Sequence, residues 1–224
     1  MRRIHPAFKN FILTDAVQEW DSILKRIEGK ERGIESGTCF QTSNAFCRAL
    51  NDDFDIPCEI TMVETLIGNK KSEELFIKSL REKKPKILLD EAAKAIREKG
   101  KDLTANDPVL VGMGIGGEEH MFHFIMNLPK HGEIVDLTLS RVDRPQWGIK
   151  CNNYWAKYDR TFAPEAFIGE DVAMRSKCVL YNTVKKTTGS IGVDPEKYSQ
   201  AEWELRKYLH EQVHKRKIPV FFRR

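Results

Sequence analysis

The sequence predicts an α+β fold, in which a helix that carries Cys39 packs on an antiparallel sheet that carries His123 and Asp136. Two observations lead to this prediction. Apolar residues recur at helical spacing after Cys39, and apolar residues alternate along the chain on both sides of a turn at 129–132. Helical and strand patterns follow one another without an internal repeat, which favours a mixed fold.

The other elements follow from the same periodicities and from Gly and Pro punctuation. Thr38 with Gln41 has the form of a capping box, which places Cys39 in the first turn of its helix. The predicted elements in chain order are helix 14–29, helix 38–50, strand 58–66, helices 72–82 and 87–98, strand 109–111, strands 121–128 and 133–139, part of a helix in 164–174, helix 199–215 and an edge strand at 218–222.

Composition indicates one folded domain over residues 1–224, with a helical insertion at about 69–101. Of the 224 residues, 41% are hydrophobic and 31% are charged, which is typical of a globular chain rather than a disordered one. No apolar run reaches the roughly 18 residues that a membrane span needs, and the N-terminus lacks the pattern of a secretory signal. We therefore expect no membrane association.

The five cysteines indicate a reducing compartment and hence a cytoplasmic location. Their number is odd, their spacing is irregular, and no C-x-x-C pair is present. A disulfide framework and a structural zinc site are therefore not expected. Cys47, Cys58, Cys151 and Cys178 have the character of core residues.

The charge is unevenly distributed. Residues 175–224 hold 12 Lys and Arg against 5 Asp and Glu, whereas the rest of the chain holds 25 against 28. This basic C-terminal region is either a solvated surface or a contact surface for an acidic partner. No RNA- or DNA-reading motif accompanies it, so nucleic acid is not an expected partner.

Cys39 is the candidate nucleophile. A thiolate requires a positive environment, and the first turn of a helix supplies unpaired N–H groups and a partial positive charge. The alternative is that Cys39 is a small buried hydrophobic residue like most free cysteines.

The hairpin supplies a candidate base and a group to orient it. If the turn at 129–132 pairs Leu128 with Glu133, Asp136 opposes Ile125 and shares a face with His123. A register slip of one residue would exchange His123 for His120, which is the alternative base. A metal site using both histidines is disfavoured, because positions i and i+3 of a strand point to opposite faces.

A glycine-rich stretch at 112–117 follows a strand-like run, as in nucleotide-binding loops. A phosphate loop must lead into a helix, whereas here the chain continues into a predicted strand. Nucleotide binding is therefore disfavoured, and glycines that let backbone approach a substrate are the better interpretation.

At these residues the sequence resembles the transglutaminase-like superfamily of papain-type thiol enzymes. The motifs that match, in the family's order, are Gly37-Thr38-Cys39 opening a helix, Ile56-Pro57 leading into a strand, His123 followed by alternating strand residues, and Asp136-Leu137-Thr138. Three features depart from the family pattern: Ile125 replaces an aromatic residue, Leu137 replaces a proline, and the insertion at 69–101 separates Cys39 from His123.

The resemblance implies a papain-like core and acyl transfer through a Cys39–His123–Asp136 triad, without a cofactor or metal. It implies a peptide or protein substrate and, with water as acceptor, a cysteine peptidase or amidase. The alternatives are a protein transglutaminase, which uses an amine acceptor, and a catalytically idle binding module on the same fold. The Cys39 N–H is the expected oxyanion donor, with Trp20, Glu35 and Ser36 as candidates for a second one.

Overall fold

The computed structural model describes residues 2–28, 38–82, 84, 87–113, 123–157, 179–183 and 195–222. The helices are α1 (Pro6–Phe11), α2 (Val17–Glu28), α3 (Thr38–Phe54), α4 (Lys70–Arg81), α5 (Ile87–Lys99) and α6 (Pro195–Lys215). The strands are β1 (Glu59–Gly68), β2 (Leu110–Met113), β3 (His123–Leu128), β4 (Glu133–Asp136), β5 (Tyr154–Lys157) and β6 (Val179–Thr183). Helices and an antiparallel sheet are both present, so the α+β prediction is confirmed.

The strands of the described residues pair antiparallel, and β1 pairs with three of them: β2, β3 and β6. Val63 pairs with both His123 and Thr183, so β3 and β6 lie on opposite edges of β1. From β3 the sheet continues through β4 to β5. Because β3 and β4 are neighbours, His123 and Asp136 are carried on paired strands.

The hairpin has the register that the sequence predicts. Leu128 pairs with Glu133, and Asn127 pairs with Ile134. The side chains alternate between two separate apolar clusters: Met126 and Val135 belong to one, whereas Ile125 and Ile134 belong to the other. This alternation places His123 and Asp136 on one face, as expected from a period of two residues.

Helices α1, α2, α3 and α6 form the main core with one face of the sheet. Helix α3 is bound to β3 in two ways: the Ser43 hydroxyl donates to the Phe124 carbonyl over 2.9 Å, and the rings of Phe40 and Phe124 meet edge to face with centroids 5.1 Å apart. These contacts fix the first turns of α3, where Cys39 lies, against the start of β3.

Several predicted boundaries were wrong. Helical structure begins at Pro6 rather than at Thr14, because Pro6 is suited to the first helical position and the His5 side chain accepts a hydrogen bond from the Ala7 N–H. A π-helical segment, Ile12–Ala16, connects α1 to α2. At the C-terminus, the predicted edge strand is reduced to an isolated bridge between Ile4 and Phe221. The predicted helix within 164–174 lies outside the described residues.

The 69–101 segment contains α4 and α5 as predicted, and the buried side chains of Phe76, Leu88 and Ala92 lie on these helices.

In the basic C-terminal region, part of the positive charge is paired within the chain, since Arg206 on α6 binds both carboxylate oxygens of Asp53 at 2.6 and 2.8 Å. In the part of the chain that is described, no helix is both long and apolar enough to cross a membrane.

Asn69 connects the start of α4 to two distant segments. Its amide donates to the carbonyls of Asp107 and Trp147 at 2.7 and 2.9 Å, and its side-chain oxygen accepts from the Ser72 N–H at 3.0 Å. The Asn69 side chain is buried, so water cannot readily replace the hydrogen bonds that it makes to these backbone groups.

We predict that Asn69→Ala lowers the free energy of unfolding by about 2–4 kcal/mol, because it removes a helix cap and leaves buried carbonyls without donors. Urea denaturation measures this change. The matched control is Asn106→Ala, since Asn106 is exposed, and we expect a change below about 0.5 kcal/mol. Equal effects of the two substitutions would contradict the assignment.

Candidate active site

Cys39, His123 and Asp136 meet in one hydrogen-bonded series. The ring of His123 is hydrogen-bonded through Nε2 to Asp136 Oδ2 at 2.7 Å. The same ring is hydrogen-bonded to the Cys39 thiol, and Nδ1 is the ring nitrogen that remains for that contact. The series joins three elements that are far apart in sequence: α3, β3 and β4.

Local structure orients the carboxylate. Asp136 is the last residue of β4 and is fully buried. Its Oδ1 accepts from the Thr138 backbone N–H at 3.0 Å and from the Thr138 hydroxyl at 3.3 Å. These bonds form a local turn of the kind that Asp favours, and they leave Oδ2 directed at the imidazole.

Burial and charge act in opposite directions on His123. Burial alone lowers the pKa of the imidazole, but the charge of Asp136, its hydrogen bond and the contact with Cys39 outweigh burial and raise the pKa to about 10. The imidazolium is therefore the favoured form at neutral pH, which is the form that can stabilise a neighbouring thiolate.

The pKa of the Cys39 thiol is lowered, whereas that of His123 is raised. Burial alone raises the pKa of the thiol, yet the hydrogen bond and charge of His123, together with the Phe124 backbone N–H, bring the pKa below the ordinary value of 9.0. Cys47, Cys58 and Cys151 are buried, and burial raises the pKa of Cys151 to about 11. Cys39 is partly exposed, which distinguishes it from these three thiols.

The remaining predicted residues have different outcomes. Trp20 is fully buried and its indole N–H donates to the Thr42 hydroxyl at 3.0 Å, so it was wrong to consider Trp20 as an oxyanion donor. The alternative base His120, the candidate donors Glu35 and Ser36, and Cys178 lie outside the described residues. Among the residues that are described, no group of three or more His, Cys, Asp or Glu side chains is arranged to hold a metal ion.

Sequence reasoning missed Arg141. This residue lies on a 3-10 turn, Leu139–Val142, directly after the Asp136 motif. Its guanidinium donates to the hydroxyl of Thr38, the residue before Cys39, and to the carboxylate of Asp21 on α2. The region around 139–147 has no clear periodicity, so only the tertiary structure reveals this contact.

No protein-family model, no curated protein and no solved structure matches the chain.

The raised pKa of His123 gives a prediction about stability and pH. A proton bound more tightly in the folded state stabilises the fold fully below the ordinary pKa of 6.5, and this contribution is lost as the pH rises toward about 10. Asp136→Asn removes the charge that raises the pKa, so the decline in stability between pH 6.5 and 10 should largely disappear.

Urea denaturation across this pH range tests the prediction. Both proteins carry Cys39→Ser, because the thiol would otherwise titrate in the same range. If the proteins with and without Asp136→Asn lose stability equally between pH 6.5 and 10, the carboxylate is not what holds the proton on His123.

Proposed function

We propose that this chain is a thiol-dependent acyl-transfer enzyme of the transglutaminase-like, papain-type class, and that it hydrolyses amide or peptide bonds. The observation that carries the proposal is the hydrogen-bonded series from Cys39 through His123 to Asp136. A nucleophile, a base bonded to it and a third group that orients the base are the parts that such catalysis requires.

In the proposed reaction, the Cys39 thiolate attacks the carbonyl carbon of an amide. The Cys39 backbone N–H, at the start of α3, donates to the oxyanion that forms. His123 then gives its Nδ1 proton to the leaving nitrogen as the C–N bond breaks, and a thioester remains on Cys39. Asp136 stays ionised, accepts from Nε2 and keeps the ring in one orientation.

The second half of the reaction regenerates the thiolate. His123, now neutral, accepts a proton from water as the water oxygen attacks the thioester. The C–S bond breaks, the carboxylic acid leaves, and Cys39 and His123 return to their initial ion pair. The same thioester reacts with a primary amine in a transglutaminase, so the acceptor alone separates the two enzyme classes.

The proposal predicts the pH dependence of Cys39 alkylation by iodoacetamide. In the wild type we expect rapid labelling that begins well below pH 9, because the imidazolium stabilises the thiolate. His123→Ala should move the profile to that of an ordinary or buried thiol and slow labelling at pH 6 by at least about tenfold.

Two controls make the result specific. Peptide mass mapping with Cys39→Ser confirms which thiol reacts. His131→Ala is the matched histidine control, since His131 lies in the hairpin turn and is not bonded to the thiol. If the wild type and His123→Ala share one profile, the ion pair and the proposed mechanism are both wrong.

Product analysis distinguishes hydrolysis by water from transfer to an amine, and both of these from a binding module without catalytic activity. Glutamine-containing peptides are incubated with the protein and a primary amine, and masses are read over time. Release of ammonia or a peptide fragment with no amine gain favours hydrolysis, whereas a Cys39-dependent gain of the amine favours transamidation. A reactive Cys39 that never turns over any peptide in a broad library would favour the binding module.

A further inference from the structure

Arg141 joins the segment that carries Asp136 to the helix that carries Cys39. One guanidinium nitrogen donates to the Thr38 hydroxyl in the first turn of α3, and another donates to the Asp21 carboxylate on α2. The Arg141 side chain is 22% exposed. A planar guanidinium held at two points fixes both the distance and the angle between the groups that it binds.

Asp136 lies at the opposite end of the segment that carries Arg141. Thr138 binds Asp136 Oδ1 through its N–H and its hydroxyl, and the Thr138 carbonyl accepts from the Arg141 N–H at 3.1 Å. Six residues, 136–141, therefore contact His123 at one end and the residue before Cys39 at the other. The position of the nucleophile relative to its base depends on this segment as well as on the packing of α3 against β3.

Arg141 contacts Thr38, the residue before the nucleophile, and the Asp21 carboxylate. Among the described residues, His123, the Phe124 N–H and Asp136 shift the pKa of the Cys39 thiol, together with burial. The charge of Arg141 is met by the Asp21 carboxylate. Through its hydrogen bond to the Thr38 hydroxyl, the guanidinium can fix the position of Thr38.

We propose that Arg141 is a positioning residue, which holds Thr38 so that the Cys39 sulfur stays within hydrogen-bonding reach of the His123 ring. This inference rests on the proposed thiol chemistry and adds to it a residue outside the three that the sequence motifs indicate. A displacement of about 1 Å between reacting groups can cost about 100-fold in rate, so a clamp at this position has a measurable effect.

The test is the pH profile of Cys39 alkylation by iodoacetamide in the full-length chain. Arg141→Gln removes the charged guanidinium, and Thr38→Val removes the hydroxyl to which the guanidinium donates. We expect each to slow labelling at pH 6 by about tenfold or more and to move the profile toward that of His123→Ala. Circular dichroism and urea denaturation establish that each variant is folded at the assay pH.

Matched variants separate positioning from charge and from general stability. Arg144→Gln makes the same charge change three residues away, where the side chain contacts the neighbouring Asp143 carbonyl, and its profile should overlay the wild type. Arg141→Lys keeps the charge but lacks the planar guanidinium that donates to two groups at once, so we expect only partial recovery of the labelling rate. Full recovery by Arg141→Lys would overturn the positioning role in favour of charge.

The remaining outcomes are equally decisive. A folded Arg141→Gln or Thr38→Val protein with the wild-type profile overturns the inference while leaving the thiol mechanism intact. If Arg141→Gln does not fold, Thr38→Val decides by the same criterion. A wild-type profile that does not depend on His123 overturns the proposed function and this inference together.

Discussion

The buried hydrogen bond between His123 Nε2 and Asp136 Oδ2, 2.7 Å long, is the interaction on which the site depends. An imidazolium without a partner is unfavourable at a site this buried, and a carboxylate alone there is equally unfavourable. Each charge stabilises the other, and removing one partner of a buried pair typically lowers the free energy of unfolding by about 3–5 kcal/mol. The pair also fixes the orientation of the ring, because Nε2 is bonded to Asp136 and Nδ1 is left for the thiol.

The fold supplies this pair with a rigid frame. Adjacent strands β3 and β4 carry the two side chains, and their register places both on one face. Helix α3 brings Cys39 to the start of β3 and is fastened there by Ser43 and Phe40. The nucleophile and its base therefore sit on regular elements, which hold side chains more firmly than loops do.

Much of this arrangement could be predicted from the sequence, because it depends on local periodicity. A period of two residues on both sides of a short turn predicts the hairpin register, and that register places Asp136 opposite Ile125, on the same face as His123. The capping pattern at Thr38 and Gln41 likewise predicts that Cys39 lies in the first turn of a helix. In these cases the distance along the chain between the interacting residues is short, or the partner lies on a paired strand.

Contacts that depend on tertiary packing could not be predicted in this way. Arg141 lies in a segment without periodicity, and its partners Thr38 and Asp21 are over 100 residues away. Trp20 was a candidate oxyanion donor because an indole N–H is a good donor, but whether that N–H is free depends on how α2 packs against Thr42. The extent of α1 was missed because its stability comes from the burial of Phe8 and Phe11, not from a long helical pattern.

The central proposal is that the His123 imidazolium stabilises the thiolate form of Cys39. The ultraviolet absorbance of thiolate reports this state directly, as a difference spectrum between the wild type and Cys39→Ser measured across a pH titration. The account predicts that thiolate absorbance from Cys39 appears at a lower pH than for an ordinary thiol, whose pKa is 9.0. A difference spectrum without thiolate at pH 7, with absorbance that appears only near pH 9, would contradict it.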